Sequence, residues 1–240
     1  MKPATERGAA VESTRRDVQI GLLFAVTVIT AIGTMAVVLL FPPAGENGFF
    51  SYASVEPDRD FVWAFLTLAA ANVVAAVVAG CLVNVLLTPG RGWQWTTAGV
   101  AVAVIGGALY AIGIGGWAMT FFFGTDATAL DPETASAFIE SVNTDGFHLF
   151  VTPFTGAILV TLATMLFAVG LWRSGNLPKW VVLLGVIGSV ITYFLPTEGV
   201  VGLFVEGPQA IASVLAALYL WRQRHALNGG AAGIPASAPA

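Results

Sequence analysis

The chain has 240 residues, 57% of them hydrophobic and only 10% charged, with a net charge of −4. Soluble domains carry about 25% charged residues and nucleic-acid binders need a basic face, so this composition excludes a soluble enzyme, a disordered chain and a nucleic-acid partner. The single cysteine, Cys81, excludes an intrachain disulfide and a Cys-rich zinc site.

The elements follow in chain order. Residues 1–19 read as a cytoplasmic tail bearing Lys2, Arg7, Arg15 and Arg16. Six apolar segments come next, at 20–41, 61–87, 96–123, 147–172, 180–195 and 199–221, and together they make a transmembrane domain over 20–225. About 20 helical residues cross the roughly 30 Å hydrocarbon core. The second, third and fourth segments exceed that length, whereas the fifth falls short of it. Unpaired backbone groups are too costly in lipid, so all six are expected to be helices. None shows the period-2 alternation of a β-barrel strand. The fold class is therefore all-α, a polytopic bundle. The first segment is longer than a signal-peptide core and no A-x-A cleavage pattern follows it, so it is expected to be retained.

Orientation follows from charge. With six spans both termini share a side. Nine of the ten basic residues lie on that side: Lys2, Arg7, Arg15, Arg16, Arg91, Arg173, Lys179, Arg222 and Arg224. Arg59 alone lies on the other. The positive-inside rule puts both termini in the cytoplasm of a plasma (inner) membrane. The outer side then carries the loops 42–60 and 124–146. In the second loop Asp131 can cap a helix that begins at Pro132, and Ala135, Phe138, Ile139 and Val142 recur at helical spacing. The expectation is a short amphipathic helix on the outer surface. Residues 226–240 are small, Pro-bearing and uncharged but for the terminus, and are expected to be a disordered cytoplasmic tail.

The few polar residues inside the spans are the candidate site. Glu206 lies seven residues beyond Gly199, roughly 10 Å below the outer end of the sixth helix. A buried carboxylate there must be protonated, paired or facing a watery cavity. Pro208 cannot donate to the carbonyl of Phe204, so the sixth helix should be kinked or loosened beside the acid. Gln209 shares the Glu206 face. In the fourth span His148, Thr152 and Thr155 form one polar stripe, with Pro153 among them. Glu206, Gln209, His148, Tyr193 and Thr152 are therefore the candidate ligand-binding residues, with Glu206 and His148 the candidates for acid–base work. The first four are expected to converge in the outer half of the bundle. Asn72, Asn84, Thr27, Thr30 and Thr34 read as interhelical hydrogen-bonding residues. Gly99, Ala103 and Gly107 give the third helix a ridge for close packing. No cofactor is implied. The only other histidine, His225, is in the tail, which leaves a two-histidine haem unsupported, and a dinuclear metal site is poorly supplied by one His and one deep carboxylate.

The stretch from Phe147 to Gly188 carries His148, then Arg173-Ser174-Gly175, Leu177-Pro178-Lys179 and Leu184-Gly185. It resembles a family of bacterial six-helix integral membrane proteins known as a domain of unknown function, whose members carry an R-S-G-x-L-P-[RK] turn at this place. The resemblance implies a six-helix fold and a membrane location, but no chemistry. Two function classes follow. One is a non-enzymatic accessory, sensory or lipid- or hydrophobe-binding bundle, with membrane lipids as partners. The other is a small membrane enzyme or carrier acting on a lipophilic small molecule, with Glu206 as acid or proton site. Sequence leaves the oligomeric state open.

Overall fold

The computed structural model describes residues 4–41, 50–197 and 199–229. Among these residues there is no strand. The helices are α1 (Ala4–Leu40), α2 (Tyr52–Val55), α3 (Arg59–Leu87), α4 (Trp93–Gly124), α5 (Pro132–Thr144), α6 (Gly146–Ser174), α7 (Lys179–Ile191) and α8 (Gly199–Gly229), with a 3-10 turn at Glu56–Asp58 before α3.

Five helical stretches are long and apolar enough to cross a membrane: Thr14–Leu40, Tyr52–Leu87, Trp93–Gly124, Phe150–Ser174 and Gly199–Arg224. Their outward faces carry large apolar side chains, such as Ile29 at 65% exposure, Leu68 at 69% and Ile112 at 66%. In water such faces would be an aggregation liability, whereas in lipid they are the expected covering. The chain is thus a multi-pass membrane protein. α7 has 13 residues, about 20 Å of helix. Turn hydrogen bonds from Tyr193, Phe194 and Leu195 back to Val190 and Ile191 carry the coil on to Leu195.

Two elements differ in extent from the sequence reading. α1 is helical from Ala4, so the described part of the basic tail is continuous with the first span. α8 remains helical through Gly229, past the expected start of a disordered tail at 226. Residues 230–240 lie outside the described residues, as do 42–49 of the first outer loop and Glu198.

The long helices form a closed ring. α1 packs on α3, α3 on α4, α4 on α6, α6 on α7, α7 on α8, and α8 back on α1. The α4–α6 contact is the most extensive, and glycine explains it. Gly99, Gly106 and Gly113 recur every seven residues on α4; Gly156, Ala163 and Gly170 recur every seven on α6. A methyl group at Gly106 would sit 2.7 Å from the Cβ of Leu159 and 2.9 Å from the backbone nitrogen of Val160. One at Gly156 would sit 2.7 Å from the Cα of Tyr110. Seven-residue spacing keeps one stripe facing one partner along the helices. The ridge read from the sequence at Gly99, Ala103 and Gly107 therefore divides between partners. Gly99 meets Phe167 on α6, and Gly107 meets Val77 on α3.

The two ends of the ring are built differently. At the end holding the chain termini, Asn176 donates to the Leu87 carbonyl at 2.8 Å and accepts from Gln223 at 3.1 Å. That joins the α6–α7 turn to α3 and α8. The turn itself follows from its residues. Gly175 ends α6 with φ of 69°, a left-handed conformation that suits glycine, and Pro178 caps the start of α7. At the other end an aromatic cluster joins Phe41, Phe50, Phe65 and Phe121. Arg59 lies 3.2 Å from the Asp126 carboxylate and 4.5 Å above the Phe122 ring. The backbone N–H and hydroxyl of Thr128, together with Arg59, hold the Asp126 carboxyl down at about 2. α5 forms where the sequence predicts. The Asp131 carboxylate accepts from the Thr134 backbone N–H at 3.0 Å and from its hydroxyl at 2.7 Å. This holds the Asp131 carboxyl below the usual carboxylate range. Ala135 and Ile139 are buried, while Glu133, Ser136 and Glu140 are exposed.

Candidate functional site

The ring encloses polar side chains along the line where α8 faces α1 and α3. α1 contributes Thr27, Thr30 and Thr34, which share one face because they are three and four residues apart. α3 contributes Ala76, Gly80 and Asn84 at four-residue spacing, so two small residues leave space before the amide. α8 contributes Glu206, Gln209, Ser213 and Ala216. Together with Ala31, Val83 and Ala210 these line a chamber of about 160 Å³. A second chamber of about 200 Å³ lies on the other side of α3 and α8 and is lined largely by apolar residues of α3, α4, α6, α7 and α8, among them Val77, Ala103, Phe167, Leu171 and Val182. Ala76, Gly80, Asn84, Gln209, Ser213 and Ala216 line both. The two chambers are thus one polar and one apolar compartment separated by a shared wall of mostly small side chains.

The hydrogen bonding of the polar chamber is one-sided. The Thr27 hydroxyl donates to the Leu23 carbonyl at 2.9 Å, Thr30 to Thr27 at 3.1 Å, Thr34 to Thr30 at 3.0 Å, and Ser213 to Gln209 at 2.9 Å. Each hydroxyl proton is used within its own helix, which leaves oxygen lone pairs. The Asn84 Nδ2 donates to the Gly80 carbonyl at 2.7 Å, and its Oδ1 is buried with no partner. Glu206 forms no hydrogen bond or ion pair among the described residues. No Lys, Arg or His lines the chamber. A lone carboxyl group of this kind, next to unused acceptors, is expensive in a membrane interior.

α8 passes Glu206 without interruption. The helix is continuous from Gly199 to Gly229 with Pro208 inside it, so the kink or loosening expected beside Glu206 does not interrupt the helical span. Proline removes one backbone donor, and the flanking turns are held by neighbours. Gly188 of α7 packs so closely that an added methyl group would lie 2.6 Å from the Gln209 backbone nitrogen. α6 tolerates Pro153 in the same way, with Gly113 of α4 packed against the ring.

Of the five residues singled out from sequence, Glu206 and Gln209 line the polar chamber. The other three do not. His148 is exposed at the end of the ring opposite the termini, and its Nδ1 lies 2.8 Å from the Asp145 carboxylate three residues earlier, so it does not pair with Glu206. A closer acid on its own first turn satisfies it. Thr152 is half-buried on α6 and lines neither chamber. Tyr193 is partly exposed, and its hydroxyl lies 2.9 Å from that of Thr161. The chamber also extends from Glu206 toward the end that holds the termini, as far as Asn84 and Ala216, rather than toward His148.

Sequence reading missed Ser213 and the lining role of Asn84, Thr27, Thr30 and Thr34. The threonine face was visible by its spacing, but interhelical bonding seemed to account for it. That account holds for Asn72, whose Nδ2 donates to the Thr30 carbonyl at 3.3 Å and to the Thr34 hydroxyl at 3.1 Å. It fails for Asn84, which bonds within its own helix. Among the described residues no group of three or more His, Cys, Asp or Glu side chains could hold a metal ion. Comparison with protein-family models, with curated proteins and with solved structures finds no match.

Proposed function

We propose that this protein is a six-span membrane bundle that binds a small lipophilic molecule in its core, acting as a non-enzymatic accessory, sensory or hydrophobe-binding protein. The observation that carries the reading is the pair of chambers with a common wall. An apolar compartment of about 200 Å³ beside a polar one of about 160 Å³ suits a ligand with an apolar body and one polar end. Ala76 stands on that wall, and Ala76→Phe should fill both sides. Mass spectrometry of organic extracts from the purified protein should find a lipophile in the wild type and not in Ala76→Phe. An empty wild-type protein would remove the proposal.

The second reading is a small membrane enzyme or carrier for a lipophilic substrate, with Glu206 as acid or proton site. It is supported by the unpaired state of Glu206 in the lining of the polar chamber. Recovery of a bound lipophile chemically unchanged, with wild-type occupancy in Glu206→Gln, would favour the binding protein over the enzyme.

The topology belongs to the same proposal. α7 counts as a span, the fifth in chain order and the one that brings the total to six, because its contacts with α6 and α8 close the ring. The resemblance at 147–188 points to a bacterial plasma membrane, with α5 lying along the outer surface. Arg91, Arg173, Lys179, Arg222 and Arg224 then face the cytoplasm with both termini, and Arg59 and Thr128 face out. The native Cys81 is buried, so introduced cysteines can be read against little background. Thr128→Cys should react with a membrane-impermeant maleimide in intact cells, and Arg91→Cys should react only after lysis. The reverse pattern would invert the topology.

A further inference from the structure

The end of the ring that holds the termini carries positive charge without a matching acid. No Asp or Glu stands between residues 61 and 125 or between 146 and 197, so the turns that bear Arg91, Arg173 and Lys179 hold none. The described acids at this end, Glu6, Glu12 and Asp17, belong to α1, which packs on α3 and α8. Lys179 is engaged, with its Nζ 4.9 Å from the centre of the Trp172 ring. Arg91 and Arg173 are exposed and make no hydrogen bond, ion pair or ring contact among the described residues.

The backbone sets these two arginines side by side. Gly92 caps the start of α4 with φ of 96°, a conformation that suits glycine. It packs on Gly170 of α6, where a methyl group added to Gly92 would lie 3.0 Å from the Gly170 Cα. Arg91 immediately precedes Gly92, and Arg173 lies less than one helical turn beyond Gly170. Both arginines border one open pocket of about 430 Å³, and Gly92 completes its lining. α4 begins there without a side-chain cap, so its first turn adds partial positive charge to the two full ones.

The pocket therefore repels cations and suits an anion with enough oxygens for two guanidinium forks. A carboxylate has two oxygens, which one arginine can occupy alone. A phosphate group has more, in a geometry that guanidinium forks match. The place in the fold favours a phosphate carried by lipid. Trp93, Trp95, Trp172 and Trp180 are all exposed at this end, and indole rings of membrane proteins gather at headgroup level.

We propose that the Arg91–Arg173 pocket binds one phosphate group, carried by an anionic phospholipid or by a soluble phosphate. Each guanidinium donates to its oxygens, and the bound group ties the start of α4 to the end of α6. The site shares no residue with either chamber, so it stands or falls apart from the ligand-binding reading.

The test treats full-length protein in detergent with phenylglyoxal, which modifies accessible arginines, and follows each arginine by peptide mass mapping. Dioleoylphosphatidylglycerol, dioleoylglycerol and inorganic phosphate are added separately at one pH and ionic strength. Modification of Arg91 and Arg173 should slow about tenfold at a phosphate-bearing probe concentration ten times the dissociation constant, since only the empty fraction reacts. Arg15 and Arg222, exposed on α1 and α8, should react at unchanged rates. Protection by phosphatidylglycerol alone assigns the site to a lipid headgroup, and protection by inorganic phosphate assigns it to a soluble phosphate. Dioleoylglycerol, which lacks the phosphate, should not protect. Equal protection by dioleoylglycerol, or no selective slowing of Arg91 and Arg173 with any probe, would overturn the proposal. As a second readout, the melting temperature of the wild type should rise with the protecting probe. The double variant Arg91→Gln, Arg173→Gln should lose that rise. The double variant Arg15→Gln, Arg222→Gln removes the same charge from the same end and should keep it. Equal loss in both would show a diffuse charge effect and remove the site. If the first double variant does not fold, the wild-type labelling result decides alone.

Discussion

Gly156→Leu should yield little or no monodisperse protein after detergent extraction, while Gly116→Ala should behave as the wild type or slightly better. A methyl group at Gly156 already meets the Tyr110 Cα at 2.7 Å and the Gly106 carbonyl oxygen at 2.7 Å, and these are backbone atoms that cannot rotate away. Leucine adds three more carbons at the same place, so α4 and α6 must separate. Overpacking of this kind costs on the order of 3 kcal/mol or more when the obstruction is backbone. Nothing lies within 4 Å of a methyl group at Gly116. There the added Cβ removes only glycine's excess backbone freedom, which is worth up to about 1 kcal/mol in favour of alanine within a helix. Size-exclusion profiles of the two variants check the pair. A well-behaved Gly156→Leu protein would mean that the α4–α6 interface has slack.

Asn84→Leu should raise the melting temperature of the protein in detergent. The wild-type side chain makes one bond within its helix, at 2.7 Å to Gly80, and leaves Oδ1 buried and unpaired. Such an orphan acceptor costs about 1–3 kcal/mol, whereas one hydrogen bond returns about 1. Leucine keeps the branched shape of asparagine and is somewhat larger, and Asn84 borders open space, so the change removes the penalty without opening a cavity. The net gain should be of the order of 1 kcal/mol. A melting temperature well below that of the wild type would show that the amide is there for packing or for a bond within the bundle. A stabilised variant would mark Asn84 as a residue kept at the expense of stability.

Much of this architecture is legible in the sequence, and the illegible remainder has physical causes. The long spans are set by apolar length, which hydropathy reads directly. α5 was predicted because Asp131, Pro132 and the Ala135–Ile139 pair each carry a local signal, and the Asp131 cap forms as expected. The inward orientation of Glu206 and Gln209 followed from the cost of a carboxylate in lipid. The failures concern relations between helices. His148 and Tyr193 share an end of the bundle with the start of α8, but axial position does not fix which way a side chain turns, and Asp145 is nearer to His148 than anything on α8. The glycine pattern on α4 was read at four-residue spacing, whereas the contact with α6 follows a seven-residue one. Both spacings are present in the sequence, and only the partner decides between them. Pro208 removes one backbone donor from α8, yet the helical span runs on past it, where Gly188 packs closely against Gln209.

The closed ring also dictates an order of construction. α3 with α4, α4 with α6, and α6 with α7 are neighbours along the chain, so each pair can meet as soon as its second member enters the bilayer. The α1–α8 contact joins the first long helix to the last. Until α8 is synthesised, the Thr27–Thr30–Thr34 face and Asn84 have no wall opposite them. A nascent chain therefore displays a hydrophilic stripe to lipid, or to the insertion machinery, for the whole of its synthesis. Arrival of the final helix both hides that stripe and brings Glu206 to it. Premature termination anywhere before residue 199 leaves a membrane fragment whose polar face is uncovered. That is a mark by which a protease or chaperone in the bilayer can tell the unfinished chain from the mature one, using the same side chains that later line the polar chamber.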